Sequence, residues 1–223
     1  MKAKIAEIFV SVQGEGIYVG EKQLFVRFFG CNLSCKYCDT KLTEFIEYEP
    51  QALIEVLKQF HGKFHSISFT GGEPLLHLDF LKEFLPLNRH GGLKHYLETN
   101  GTLPEALEAV IDHLDIVAMD IKLPSSTGLK HFWEEHKKFL TIAARKEVFI
   151  KTVVCLSTKE EDFTEVIRLV SECDPSAVLI LQANSQEDND EMKHKLHEFR
   201  EFCVNRHVTA CIIPQIHKIV GLE

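Results

Sequence analysis

At 223 residues the chain has room for one large domain and one substantial core. Its 45% hydrophobic and 26% charged content is that of a soluble globular protein, and a net charge of −8 argues against general affinity for nucleic acid or anionic membrane. No apolar run reaches the roughly 18 residues of a membrane span. The start, Met1 to Glu7, lacks the apolar stretch of a secretory signal, so a cytoplasmic protein with neither membrane nor nucleic acid as partner is expected.

In chain order, the first buried strand is expected over residues 23–30, where Phe25, Val26, Phe28 and Phe29 surround a single charge, Arg27. A loop carrying Cys31, Cys35 and Cys38 follows. Pro50 opens a helix whose Leu53, Ile54, Leu57 and Phe60 recur at three-and-four spacing. Further strands are expected over residues 65–69, 94–98, 116–121, 148–154, 177–182 and 208–213. The clearest helices fall over 104–114, 161–172 and 189–206, and the polar run 184–190 reads as a solvated loop. Residues 125–148 carry no signature. Strands alternating with helices imply parallel pairing with helices covering the sheet. Seven strands in so short a chain favour an α/β fold of the open or partial (β/α) barrel type, as a single domain over residues 1–223. Sites on such sheets collect at the carboxyl ends of the strands, so the loops beginning at Gly30, Thr70, Thr99, Ile121 and Leu181 are where chemistry is expected.

Seven cysteines do not form a disulfide framework. Cys155, Cys173, Cys203 and Cys211 stand alone and read as small buried or half-buried side chains. Cys31-x3-Cys35-x2-Cys38 is different. Three thiolates on a short loop can hold three irons of a four-iron, four-sulfur cluster and leave the fourth iron open. Structural zinc is the alternative, and it would need a fourth ligand from elsewhere. The second motif is Thr70-Gly71-Gly72-Glu73-Pro74, at the end of a strand. Its glycines let a ligand approach the backbone, and Glu73 offers a carboxylate to a cationic group.

Together, C-x3-C-x2-C and Gly-Gly-Glu-Pro resemble the radical S-adenosylmethionine superfamily. The resemblance implies a partial (β/α) barrel and a [4Fe-4S] cluster on Cys31, Cys35 and Cys38. It also implies S-adenosyl-L-methionine on the open iron, cleaved by one electron to give a hydrogen-abstracting radical. It places Tyr37, Cys38 and Asp39 along the adenine, and Gly72 and Glu73 at the methionine end. Asp120, Ile121 and Lys122 would lie near the ribose, with Gln182 in a like position. Asp120 and Lys122 pairing simply with each other is the bland alternative.

Residues outside these motifs are more selective. Gln13-Gly14-Glu15-Gly16, Arg27, Thr40 and Pro214-Gln215-Ile216-His217-Lys218 resemble the 7-carboxy-7-deazaguanine synthase family, over nearly the whole chain. That resemblance implies a lyase of deazapurine and queuosine biosynthesis, acting on 6-carboxy-5,6,7,8-tetrahydropterin by ring contraction with loss of ammonia. Magnesium on Thr40, an electron donor such as flavodoxin and a homodimer are implied with it. The substrate would meet Val12, Gln13, Gly14, Glu15, Arg27, Thr70, Glu98 and His217. The residues agree with this on their own chemistry. A charge among phenylalanines needs an anion, and the Arg27 guanidinium forks onto a carboxylate, although an internal salt bridge would serve equally. Gln13 and Glu15 supply the acceptors and donors a pterin edge requires, with an ordinary glycine-rich turn as the alternative, and Glu98 could accept from the pterin or belong to a helix-capping loop. The nearest alternative, a glycyl-radical enzyme activase of the same superfamily, would need neither Gln13, Glu15 and Arg27 nor the His217 tail.

Overall fold

The computed structural model describes residues 1–89, 92–187 and 189–216. Nine strands form one sheet in the order β3-β1-β2-β4-β5-β6-β7-β8-β9. They are β1 (Ala3–Val12), β2 (Lys22–Phe28), β3 (Ile46–Tyr48), β4 (Ser66–Gly71), β5 (Lys94–Thr99), β6 (Ile116–Asp120), β7 (Glu147–Val154), β8 (Leu179–Ala183) and β9 (Ala210–Ile212). From β2 to β9 every pairing is parallel, so the seven strands expected from the sequence are the parallel ones. The two not foreseen, β1 and β3, are antiparallel additions at one edge. Both are half-exposed, so neither shows the continuous apolar run that marks a parallel strand buried on two faces.

The helices are α1 (Pro50–Leu57), α2 (Leu78–Leu87), α3 (Pro104–Glu108), α4 (Pro124–Thr127), α5 (Trp133–Ala143), α6 (Glu160–Cys173) and α7 (Asp190–Val204). The helix expected over 104–114 divides at Ala109 into α3 and a short 3-10 turn, Ile111–His113. The unread segment 125–148 holds α5, whose His136, Phe139, Leu140 and Ala143 are buried at helical spacing. Phe28, Phe69, Phe80 and Phe84 pack edge-on and stacked between the sheet and α2. This outer core continues around the sheet under the remaining helices. A smaller inner cluster of Tyr96, Ile116, Ala118, Phe149 and Ile180, with Tyr18 against it, floors the concave side. No helix of the described residues is long and apolar enough to cross a membrane.

Candidate active site

Side chains on a strand alternate between faces, so every second residue of the parallel strands points to the concave side. That inner row is apolar at the floor and polar toward the carboxyl end on most strands: Phe25 then Arg27, Tyr96 then Glu98, Ala118 then Asp120, Phe149 then Lys151, Ile180 then Gln182. Arg27, Thr70, Glu98, Asp120, Lys151 and Gln182 thereby come together on one cavity of about 1250 Å³. A single small-ligand site spans roughly 300–1,000 Å³, so this cavity has room for two ligands side by side.

The cysteine loop forms its rim. Cys31, Cys35 and Cys38 all border the cavity, on a stretch without regular structure between β2 and β3. Side-chain and backbone ties hold the loop in place. Lys36 N donates to Thr127 O at 3.0 Å, and Asn32 is held by Thr102 and Asn100 at 2.8 and 2.9 Å. Burial pushes the Cys31 and Cys35 thiols above their ordinary pKa, so binding a metal there must release their protons. Of the other cysteines, Cys155 and Cys203 are buried and Cys173 is half-buried, as expected, but Cys211 is exposed because β9 is the edge of the sheet.

The cavity wall also contains polar atoms that are buried yet lack a hydrogen-bond partner among the described residues: Tyr37 Oη, Asp120 Oδ1 and Gln182 Oε1. Buried polar groups are rarely left unpaired without reason. Three soft thiol donors beside a wall of unmet polar atoms fit an iron–sulfur cluster with a polar cofactor next to it. Asp39 and Thr40 border the same space. Asp120 and Lys122 do pair, at 2.8 Å, and both still line the cavity, with the Lys122 ammonium 5.5 Å from the centre of the Tyr37 ring.

Two residues expected at the cofactor, Glu73 and Ile121, do not border the cavity. Glu73 is fully buried, and its carboxylate accepts from Leu75 N, Thr99 Oγ1 and Asn100 N at 2.8–3.1 Å. It braces the end of β5 from behind, and Gly72 is what borders the cavity. Ile121 turns its side chain into the outer core, and its backbone N–H and C=O are spent on Lys151 O and Thr152 Oγ1.

On the other half of the cavity, the Gln13 amide donates to Glu98 at 2.8 Å and Gln23 at 3.0 Å, while its oxygen accepts from Glu15 N at 3.0 Å. Both amide hydrogens are therefore taken, and Gln13 serves chiefly to orient Glu98 and Glu15. Thr70 donates to the other Glu98 oxygen at 2.9 Å. Val12 and Gly14 border the space. Arg27 lies 2.6 Å from Glu7 across β1–β2 and over the Phe9 ring, so the internal ion pair left open by the sequence is present. Glu7 is half-exposed, however, and the guanidinium still faces the cavity. His217 lies outside the described residues.

Lys151 escaped the sequence reading, and Gln215 entered it only as part of the tail 214–218. Lys151 is ion-paired with Glu15 and 3.7 Å from Asp120. Its signal was a lone charge two residues after Phe149 in an apolar strand, the same signal that marked Arg27. Gln215 donates to Glu15 at 2.5 Å, and nothing local in the sequence announces a contact between residues 200 positions apart.

The signature of the Radical SAM superfamily matches residues 25–170. A 7-carboxy-7-deazaguanine synthase of Geobacter sulfurreducens is 38% identical over 98% of this chain and 97% of that protein. One from Archaeoglobus fulgidus is 32% identical over the full length of both. Among solved structures, QueE from Escherichia coli superposes with a TM-score of 0.66 at 22% identity, covering 95% of this chain and 94% of that one, a likeness of fold.

Proposed function

Since the chain belongs to the radical S-adenosylmethionine superfamily, and within it to the 7-carboxy-7-deazaguanine synthase family, we propose that it converts 6-carboxy-5,6,7,8-tetrahydropterin to 7-carboxy-7-deazaguanine with loss of ammonia. The superfamily carries a four-iron, four-sulfur cluster and S-adenosylmethionine, which when bound supply the hydrogen-atom abstraction that starts the ring contraction. Cys31, Cys35 and Cys38 would hold the cluster. Tyr37, Asp39, Gly72, Asp120, Lys122 and Gln182 would line the cofactor half. The observation that carries the reading is the single ring of inward polar residues, which brings that half together with Glu15, Arg27, Thr70 and Glu98.

The residues of the substrate half have separable tasks. Glu98 and Glu15 accept from the N–H groups of the heterocycle, the Glu98 carboxylate aimed by Gln13 and that of Glu15 by Lys151 and Gln215. Arg27 takes the substrate carboxylate in exchange for exposed Glu7, which water can solvate. The apolar floor of Tyr96, Ala118 and Phe149 excludes water from beneath the ring and strengthens these contacts. Thr40 would give magnesium one hydroxyl, with substrate oxygens and waters completing its octahedron. The His217 contact, the homodimer and a flavodoxin-like electron donor belong to the same proposal. The activase alternative is set aside, since the relatives described above are named for the ring-contracting enzyme.

The test is anaerobic incubation of the reconstituted protein with the carboxytetrahydropterin, S-adenosylmethionine and a reductant, followed by mass spectrometry. The product should be 7-carboxy-7-deazaguanine, formed with release of ammonia. Cleavage of S-adenosylmethionine with no change in the pterin would refute the assignment.

A further inference from the structure

Lys151 lies where the two halves of the cavity meet. Its ammonium is ion-paired with Glu15, on the substrate side, and stands 3.7 Å from Asp120 Oδ2, on the cofactor side. Asp120 and Lys151 are direct neighbours across β6 and β7, so the backbone fixes this spacing. We propose that Lys151 is a positioning residue, the shared counter-ion of Glu15 and Asp120, through which occupancy of the cofactor half strengthens binding in the substrate half. This rests on the functional reading above, which gives Glu15 to the pterin and Asp120 to S-adenosylmethionine.

The two carboxylates draw on one ammonium in a place that is less than one-fifth exposed, where charges interact more strongly than in water. Asp120 Oδ2 also holds Lys122 at 2.8 Å, while Asp120 Oδ1 is buried with no hydrogen-bond partner among the described residues. A hydroxyl of a bound nucleoside donating to Oδ1 takes up part of that charge and weakens the pull of Asp120 on Lys151. The ammonium is then left to Glu15. The other Glu15 oxygen is held by Gln215 at 2.5 Å and approached by Gln182 at 3.4 Å. A firm hold on both oxygens presents the heterocycle with an acceptor that needs no further ordering, and such preorganisation appears as affinity. Burial alone would lower the Lys151 pKa, but Glu15 and Asp120 together raise it above the ordinary value. Lys151 therefore acts as a fixed charge near neutral pH. Linkage makes the effect reciprocal: the pterin must tighten S-adenosylmethionine by the same factor.

The experiment uses the cluster-loaded protein without reductant, so that no turnover occurs, and titrates the carboxytetrahydropterin with and without saturating S-adenosylmethionine. In the native protein the cofactor should tighten pterin binding by about fivefold or more. In Lys151→Met the ratio should fall to about one with iron content unchanged, and Lys151→Arg, which keeps the charge, should restore most of it. Lys151→Gln, which keeps a polar head and removes the charge, gives the same readout should the Met variant not fold. A native ratio of one, or a ratio that survives loss of the Lys151 charge, overturns this assignment alone. A native protein that binds the pterin in neither state overturns the functional reading as well.

Discussion

Asn100 is the joint on which the cofactor side of the site turns. Its backbone N–H donates to Glu73, its C=O accepts from His136 Nε2 at 3.1 Å, and its side chain steadies Asn32 in the cysteine loop. Glu73 and His136 are both fully buried and are perturbed in opposite senses. Burial pushes the Glu73 carboxyl from 4.5 up to about 7 against the hydrogen bonds it accepts, and drives His136 from 6.5 down to about 4. Between these limits the native state holds more protons on Glu73 than the unfolded chain does, so stability falls as pH rises. On His136 it holds fewer, so stability rises with pH. From pH 5 to 6.5 the two slopes oppose each other. His136→Phe should remove the rising one, so that its stability drops relative to the native protein by about 2 kcal/mol across that interval. Denaturant unfolding at several pH values checks this, and parallel curves for the two proteins would refute it. Residues of this kind were only partly legible. Arg27 stood out as a charge inside an apolar strand, and Lys151 in Val148-Phe149-Ile150-Lys151 met the same criterion. His136 did not stand out, because a histidine shows its burial only through the helical period around it.

At the scale of elements, the site depends on how closely the end of β4 approaches the cysteine loop. Gly72 N donates to Phe28 O and Glu73 N to Gly30 O, at 3.0 and 2.8 Å. A Cβ on Gly72 would overlap the carbonyl of Gly30, and one on Gly71, at φ 125°, would overlap the backbone of Phe28. Neither neighbour is a flexible side chain that could move aside. Gly72→Ala should therefore displace Gly30 and Cys31, and bound iron and sulfide per chain should fall several-fold while the protein stays folded. Full cluster content in that variant would show that the close approach is dispensable. The glycines were readable in the sequence as a place for a ligand, yet the structure gives them a second task, which is to admit the cysteine loop itself. Parallel strands were legible because burial on both faces leaves an apolar run. β1 alternates imperfectly and carries Lys4 and Glu7, so its pairing with β2 is a tertiary fact with little local signal. α5, by contrast, carried a readable period in His136, Phe139, Leu140 and Ala143.

The whole molecule is a sheet that curls without closing, bounded by β3 and β9. The segment after β9 crosses the opening: Ile213 N donates to Leu181 O at 3.2 Å, and Ile216 N donates to Gly14 O at 2.9 Å. Gln215, between them, reaches Glu15. The far end of the described chain thus fastens the loop that follows its first strand, and local pattern could not foretell this because its partners are some two hundred residues apart. The consequence is a division between folding and substrate affinity. Ile216→Pro removes one N–H donor and no cavity side chain, whereas Gln215→Ala removes a contact to Glu15 and leaves the backbone strap. A hydrogen bond contributes about 1 kcal/mol net, and one to a charged group about 1.5–3 kcal/mol. Pterin affinity in the cluster-loaded protein should therefore weaken roughly fivefold in Ile216→Pro and by tenfold or more in Gln215→Ala. Neither change touches the outer core that carries stability, so both variants should unfold at nearly the native denaturant concentration and keep their iron. Binding titrations beside unfolding curves decide the matter. If stability falls in step with affinity, the strap is part of the folding unit, and scaffold and substrate loop are not separate.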